Sequence, residues 1–147
     1  MTAQSSSQMR ATDPPSFRQW AVLGLVAALA AIVGVLIVRA VALAIWPDAA
    51  LFQPLDSVVR AALFTLVPTL LATWLLAWLA ARSTEPVRAF LWISLVALVL
   101  SFIPDYILPV PNRTFIAGTI AAFLHVVAAA IIVPILVIGY GRMAKSA

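Results

Sequence analysis

Four apolar runs, residues 20–46, 58–81, 87–103 and 115–138, set the terms for everything else this chain can do. At about 1.5 Å of rise per residue, each approaches or exceeds the ~30 Å hydrocarbon core of a bilayer, the third being the shortest. Backbone in that core must satisfy its own N–H and C=O groups, so each run is expected to be helical. Composition agrees, since hydrophobic side chains make up 65% of the 147 residues and charged ones 10%. Soluble domains run at roughly 45–50% and about 25%. A soluble enzyme is excluded. The expected fold is all-α, a bundle of four transmembrane helices.

The ends of the runs define the remaining organisation. Residues 1–19 are rich in Ser and Gln, hold Pro14 and Pro15 with Arg10 and Arg18, and read as a flexible tail. One membrane domain then covers residues 20–141, and residues 142–147 form a short basic tail with Arg142 and Lys145. The first run ends at Pro47 and carries one charge, Arg39, about two turns from Trp46, where its side chain can snorkel to the interface. Ala42, Leu43 and Ala44 have the small-x-small form of a signal-peptidase site. Against cleavage, the apolar region is roughly twice a usual h-region, and Arg39 lies where such sites are normally uncharged.

Local signals fix the connections. Asp56 or Ser57 is suited to cap the second helix. Thr65, Thr69 and Thr73 recur every fourth residue on one of its faces, and Pro68 predicts a bend whose freed carbonyls those hydroxyls would satisfy. Pro86 suits the first turn of the third helix, which is expected to stop at Pro104; residues 105–113 then form a loop stiffened by Pro109 and Pro111. Four crossings put both termini on one side. Arg10, Arg18, Arg82, Arg88, Arg142 and Lys145 fall on that side, against Arg39, Arg60 and Arg113 on the other. The bias predicts cytoplasmic termini in a multi-pass protein of the cell membrane. Because these cations stand singly at the ends of apolar runs, the formal charge of +4 does not indicate nucleic acid. Without cysteine, disulfides and thiolate metal sites are excluded.

His125 is the first candidate for chemistry. It is the only histidine and lies inside the fourth run, close to the expected midplane, where a titratable ring is costly unless it faces protein, water or a ligand. Gly118, Ala122 and Ala129 share its helix face and form a stripe of small residues that a helix or a flat ligand can approach. One reading is axial ligation of a haem or chlorin, binding of a quinone, or a proton relay. The plainer one is a polar pin bonded to Thr65, Thr69, Thr73, Ser94 or Ser101 of a neighbouring helix. The second candidate is a charged cluster at the outer ends, Arg39, Asp48, Asp56, Arg60, Asp105 and Arg113. Asp56 and Arg60 have the spacing of a helical ion pair, and Arg39 is placed to reach Asp105 or Asp56. Such a cluster suits an anionic ligand or a docking partner, or simply ties helix ends together. No acid falls within the expected spans, which argues against a proton- or cation-coupled pump.

The second run with Pro68, the SFIPD segment of residues 101–105 and the FLHVVAAA segment of residues 123–130 carry a resemblance. Through them the chain resembles a family of small bacterial four-helix membrane proteins described only as a domain of unknown function, over most of residues 20–140. The resemblance implies a four-helix bundle and no activity. The leading expectation is a non-enzymatic accessory or structural membrane protein, working through helix contacts with a larger complex or with itself. The alternatives are a binder of a lipophilic cofactor through His125 and a small oligomeric transporter or channel.

Overall fold

The structure, a computed structural model, describes residues 15–107 and 109–146. Of the tail expected over residues 1–19, residues 1–14 lie outside the described residues and residues 17–19 are helical. Four helices follow in order, α1 (Phe17–Ile45), α2 (Val58–Arg82), α3 (Pro86–Ile107) and α4 (Phe115–Ser146), with two short 3-10 turns, Pro47–Leu51 and Gln53–Leu55, between α1 and α2. All four helices are long and apolar enough to cross a membrane.

Caps and prolines explain where the helices differ from the apolar runs. α1 begins at Phe17 rather than Trp20 because Ser16 closes a capping box. Its Oγ accepts from the Gln19 N–H at 3.4 Å, and its own N–H donates to Gln19 Oε1 at 2.7 Å. At α2, Ser57 rather than Asp56 is the cap, accepting from the Arg60 N–H at 3.3 Å. The larger departure is in α3, which does not stop at Pro104 but runs through it to Ile107. A proline within a helix removes one donor and frees the carbonyl one turn back, here that of Leu100; where neighbouring helices hold the segment, that loss is tolerated. α4 likewise continues through Pro134, Gly139 and Gly141 to Ser146, so the short basic tail begins as a continuation of this helix.

Short connections make sequential helices antiparallel. α1 packs on α2 and α4, and α3 on the same two, which gives an up-and-down bundle. Trp20 stacks on Tyr140 with ring centroids 5.7 Å apart, so the start of α1 and the end of α4 share one end of the bundle, the terminal end. At the opposite, loop end the two 3-10 turns fold inward. Phe52 and Leu55 are fully buried and pack with Val35, Ala117, Ile120 and Leu124. A second core, nearer the terminal end, joins Ala27, Ala31, Leu76, Phe90, Ile132 and Leu136. Side chains facing away from both are large and apolar on all four helices, as lipid contact requires.

Glycines mark the closest approaches. A Cβ on Gly24 would lie 3.0 Å from Thr73 Oγ1, and one on Gly118 would lie 2.9 Å from the Asp105 carbonyl oxygen; Gly34 abuts Ile131 and Gly139 abuts Leu23. The bundle thus uses these small residues in its own seams, α1 on α2, α1 on α4 and α3 on α4.

Candidate functional site

Continuation of α3 past Pro104 decides where Asp105 goes. In place of the expected outer loop, it occupies the last turn of a spanning helix and is 5% exposed. Helical side chains lean toward the N-terminus of their own helix. On α3 that lean carries the Asp105 carboxylate inward from the loop end, and on antiparallel α4 it carries His125 outward. The contact at Gly118 sets the level of Asp105, and His125 lies about 10 Å further along α4 by helical rise. The two side chains close that gap. His125 Nε2 lies 3.4 Å from Asp105 Oδ2.

The pair is unequal in environment. The Asp105 side chain is 6% exposed and that of His125 is 41% exposed. Oδ2 is buried yet accepts no hydrogen bond, the contact with Nε2 being too poorly aligned to count as one. Among the described residues it is the only buried side-chain polar atom left so. An acceptor without a donor at this depth costs about 1–3 kcal/mol, and more for a charged group.

α3 shapes the space beside the pair. Phe90, Ser94, Ala97, Ser101 and Asp105 follow one another at three- and four-residue steps and share one face of the helix. That face is buried only at its ends, at Phe90 and Asp105, whereas Ser94 and Ser101 are half-buried and Ala97 is exposed. Leu98 and Phe102 beside that face are half-buried as well, so α3 is packed along its length and most deeply at its two ends. Ser101 Oγ donates to the Leu98 carbonyl at 2.6 Å and keeps its lone pairs for other partners. On α4, Gly118 and Ala122 are buried, Gly118 under the Asp105 backbone, while His125 and Ala129 are half-open. The small-residue stripe is thus covered by α3 at its outer half and uncovered at its inner half.

A family described as a family of unknown function (DUF6069) matches residues 12–141. The chain belongs to that family. No curated protein and no solved structure matches it. The family assignment and the four apolar helices agree in describing an integral, multi-pass membrane protein, and neither names an activity.

The other sequence candidates are placed as follows. Thr65, Thr69 and Thr73 are buried and face inward, but each hydroxyl donates to the carbonyl four residues back, at 2.9, 2.6 and 2.8 Å. Those carbonyls belong to Ala61, Thr65 and Thr69. The carbonyl that Pro68 frees is that of Phe64, which none of the three reaches, and none of them pairs with His125. Arg39 does not reach Asp105 or Asp56. Its Nε and Nη2 straddle the Leu55 carbonyl oxygen at 3.0 and 2.5 Å, holding the second 3-10 turn against α1. Arg60 does pair with Asp56 at 2.6 Å and also donates to the Gln53 carbonyl at 2.5 Å; both side chains are partly exposed, at 35% and 41%. Arg113 donates to the Tyr106 carbonyl, and Asn112, at positive φ, donates to the Leu51 carbonyl at 3.3 Å. Arg39, Arg60 and Arg113 thus bind backbone carbonyls, Asp48 is exposed in the first 3-10 turn, and Asp105 pairs with His125 instead of with an outer arginine. No group of three or more histidine, aspartate or glutamate side chains that could hold a metal exists among the described residues.

Proposed function

We propose that this membrane protein binds a small lipophilic molecule in the seam between α3 and α4, using His125 and Asp105, and carries out no turnover of it. One observation supports the reading above the others: a half-exposed imidazole beside a buried carboxylate oxygen that lacks a donor, both within spanning helices. Polar groups at membrane depth that are neither fully paired nor fully covered are costly, and they are kept where something occupies them. A ligand with a compact polar head suits the seam better than the broad face of a haem or chlorin, because Gly118 and Ala122 are already covered. Native mass spectrometry of the protein released from membranes tests the reading. A co-purifying molecule that is lost in His125→Ala is expected, and a ligand-free preparation that no lipophilic compound stabilises would refute it.

An accessory role through helix contacts is the second reading. What favours it is α3, which buries only Phe90 and Asp105 and leaves Trp92, Leu95, Val96, Val99 and Ile103 exposed. What weakens it is that the Gly contacts are spent inside the bundle. Crosslinking in membranes from sites on α3 distinguishes it: a specific adduct supports a partner, and a strict monomer opposes one. A channel or transporter has less support, since the inward threonines bond to their own helix. For topology, the distribution of Arg82, Arg88, Arg142 and Lys145 favours cytoplasmic termini in the cell membrane. Single cysteines introduced into the cysteine-free chain and probed with an impermeant thiol reagent test it.

A further inference from the structure

Resting on the ligand-binding reading above, we infer that the α3–α4 seam selects a neutral, lipid-soluble molecule whose polar end is a hydroxyl donor, either an alcohol or a hydroquinone, and that Asp105 accepts its hydrogen bond. Asp105 Oδ2 is a buried carboxylate oxygen with no hydrogen-bond partner, and such an oxygen is completed by an O–H or N–H brought to it. His125 Nε2 is 3.4 Å away, within ion-pair distance, and makes no hydrogen bond to it. A molecule that offers only carbonyl or ether oxygens would set acceptor against acceptor in a low-dielectric site, where such a mismatch is most costly.

The less covered part of the seam, with Ser94, Ser101, His125 and Ala129 half-buried and Ala97 exposed, lies between the ends of two helices long and apolar enough to cross a membrane. Entry is therefore from lipid, which selects a molecule with an apolar body. A free cation is a poor fit. One carboxylate and one imidazole supply fewer ligands than a divalent ion requires, and no larger cluster stands near them among the described residues. The hydroxyl carried by an apolar body satisfies both constraints together: its proton goes to Asp105 Oδ2 as a hydrogen bond, and its oxygen remains free to accept from the imidazole.

The test compares donors with matched acceptors on the full-length protein in nanodiscs, counting bound ligand by native mass spectrometry under anaerobic conditions. The probes are decylubiquinol against decylubiquinone, and farnesol against farnesyl methyl ether. Each donor is expected to bind about five- to a hundredfold tighter than its partner, the range that satisfying one buried acceptor provides. Preference for one donor over the other identifies the source as a hydroquinone or an isoprenoid alcohol. Asp105→Asn places an amide N–H where only an acceptor stood, so it is expected to erase the discrimination and to favour the quinone over the quinol. The comparison in the unsubstituted protein stands even if that variant fails to fold. Equal binding of donors and acceptors, with binding lost in His125→Ala, overturns the donor selectivity and leaves the ligand-binding reading intact. No binding by any of the four, together with no co-purifying molecule, overturns both.

Discussion

Replacing Gly118 by alanine isolates the contact on which the Asp105–His125 geometry depends. The added Cβ would lie 2.9 Å from the Asp105 backbone oxygen, which belongs to a helix and cannot rotate away as a side chain would. Relief requires α3 to move from α4 by a few tenths of an ångström. Overpacking of this kind costs about 1–3 kcal/mol, and the gain in helix propensity from Gly to Ala returns roughly 0.5–1 kcal/mol. The expected net is a loss of up to about 2.5 kcal/mol, centred near 1 kcal/mol. Gly141→Ala is the matched control, because nothing lies within 4 Å of its Cβ position and only the propensity gain of about 0.5–1 kcal/mol remains. Gly34→Ala falls between, since its obstacle is the terminal Cδ1 of Ile131, which can change rotamer. The assay is SDS-induced unfolding in mixed micelles followed by far-ultraviolet circular dichroism, with all three variants on one baseline. Opposite signs for Gly118→Ala and Gly141→Ala are expected. If Gly118→Ala were as stabilising as Gly141→Ala, the close α3–α4 approach, and with it the placement of Asp105 against His125, would be wrong.

Thr69→Val should cost less than about 1 kcal/mol in the same assay, because the Thr69 hydroxyl serves only a carbonyl of its own helix and the two side chains have nearly the same shape; a loss above about 2 kcal/mol would mean that Thr69 bonds across a seam. Arg39→Met, which keeps the apolar stem and removes the guanidinium, leaves the buried Leu55 turn without its two donors and should cost about 1–3 kcal/mol, visible first as faster amide exchange over residues 47–55. Asp56→Asn breaks an exposed pair and should shift stability by no more than about 1 kcal/mol, with the effect fading as salt is added. A salt-insensitive loss would place that pair in a drier setting than its exposure indicates.

Much of the fold was legible because the bilayer leaves few alternatives. Apolar runs of spanning length must be helices, short connections must make them antiparallel, and the order of neighbours follows. What the runs did not reveal was their ends. Ser16 and Gln19 extend α1 through a capping box that hydropathy cannot register, and the polar residues beyond Gly141 continue α4 because nothing there breaks a helix. The threonine face was also legible as an inward one, but its bonding was not. A threonine in a helix has a carbonyl one turn back within reach whatever lies across the seam, so Thr65, Thr69 and Thr73 satisfy themselves.

Asp105 shows most clearly where reading the chain loses the site. Treating Pro104 as a stop assigns the following acid to a loop, and the spans then hold no carboxylate. Pro104 removes only one backbone donor, however, and α3 continues for another turn. The stripe of Phe90, Ser94, Ala97 and Ser101 points one step further, to residue 105, so the register itself contained the signal that the proline obscured. Once Asp105 is helical, its side chain leans into the bundle, the lone histidine of α4 lies within reach, and the carboxylate lacks a donor. His125 is then not an isolated ring in search of a hydroxyl on α2 or α3. It is the more open half of a pair whose buried half still has a hydrogen bond to accept, and the identity of that donor is the functional question this fold poses.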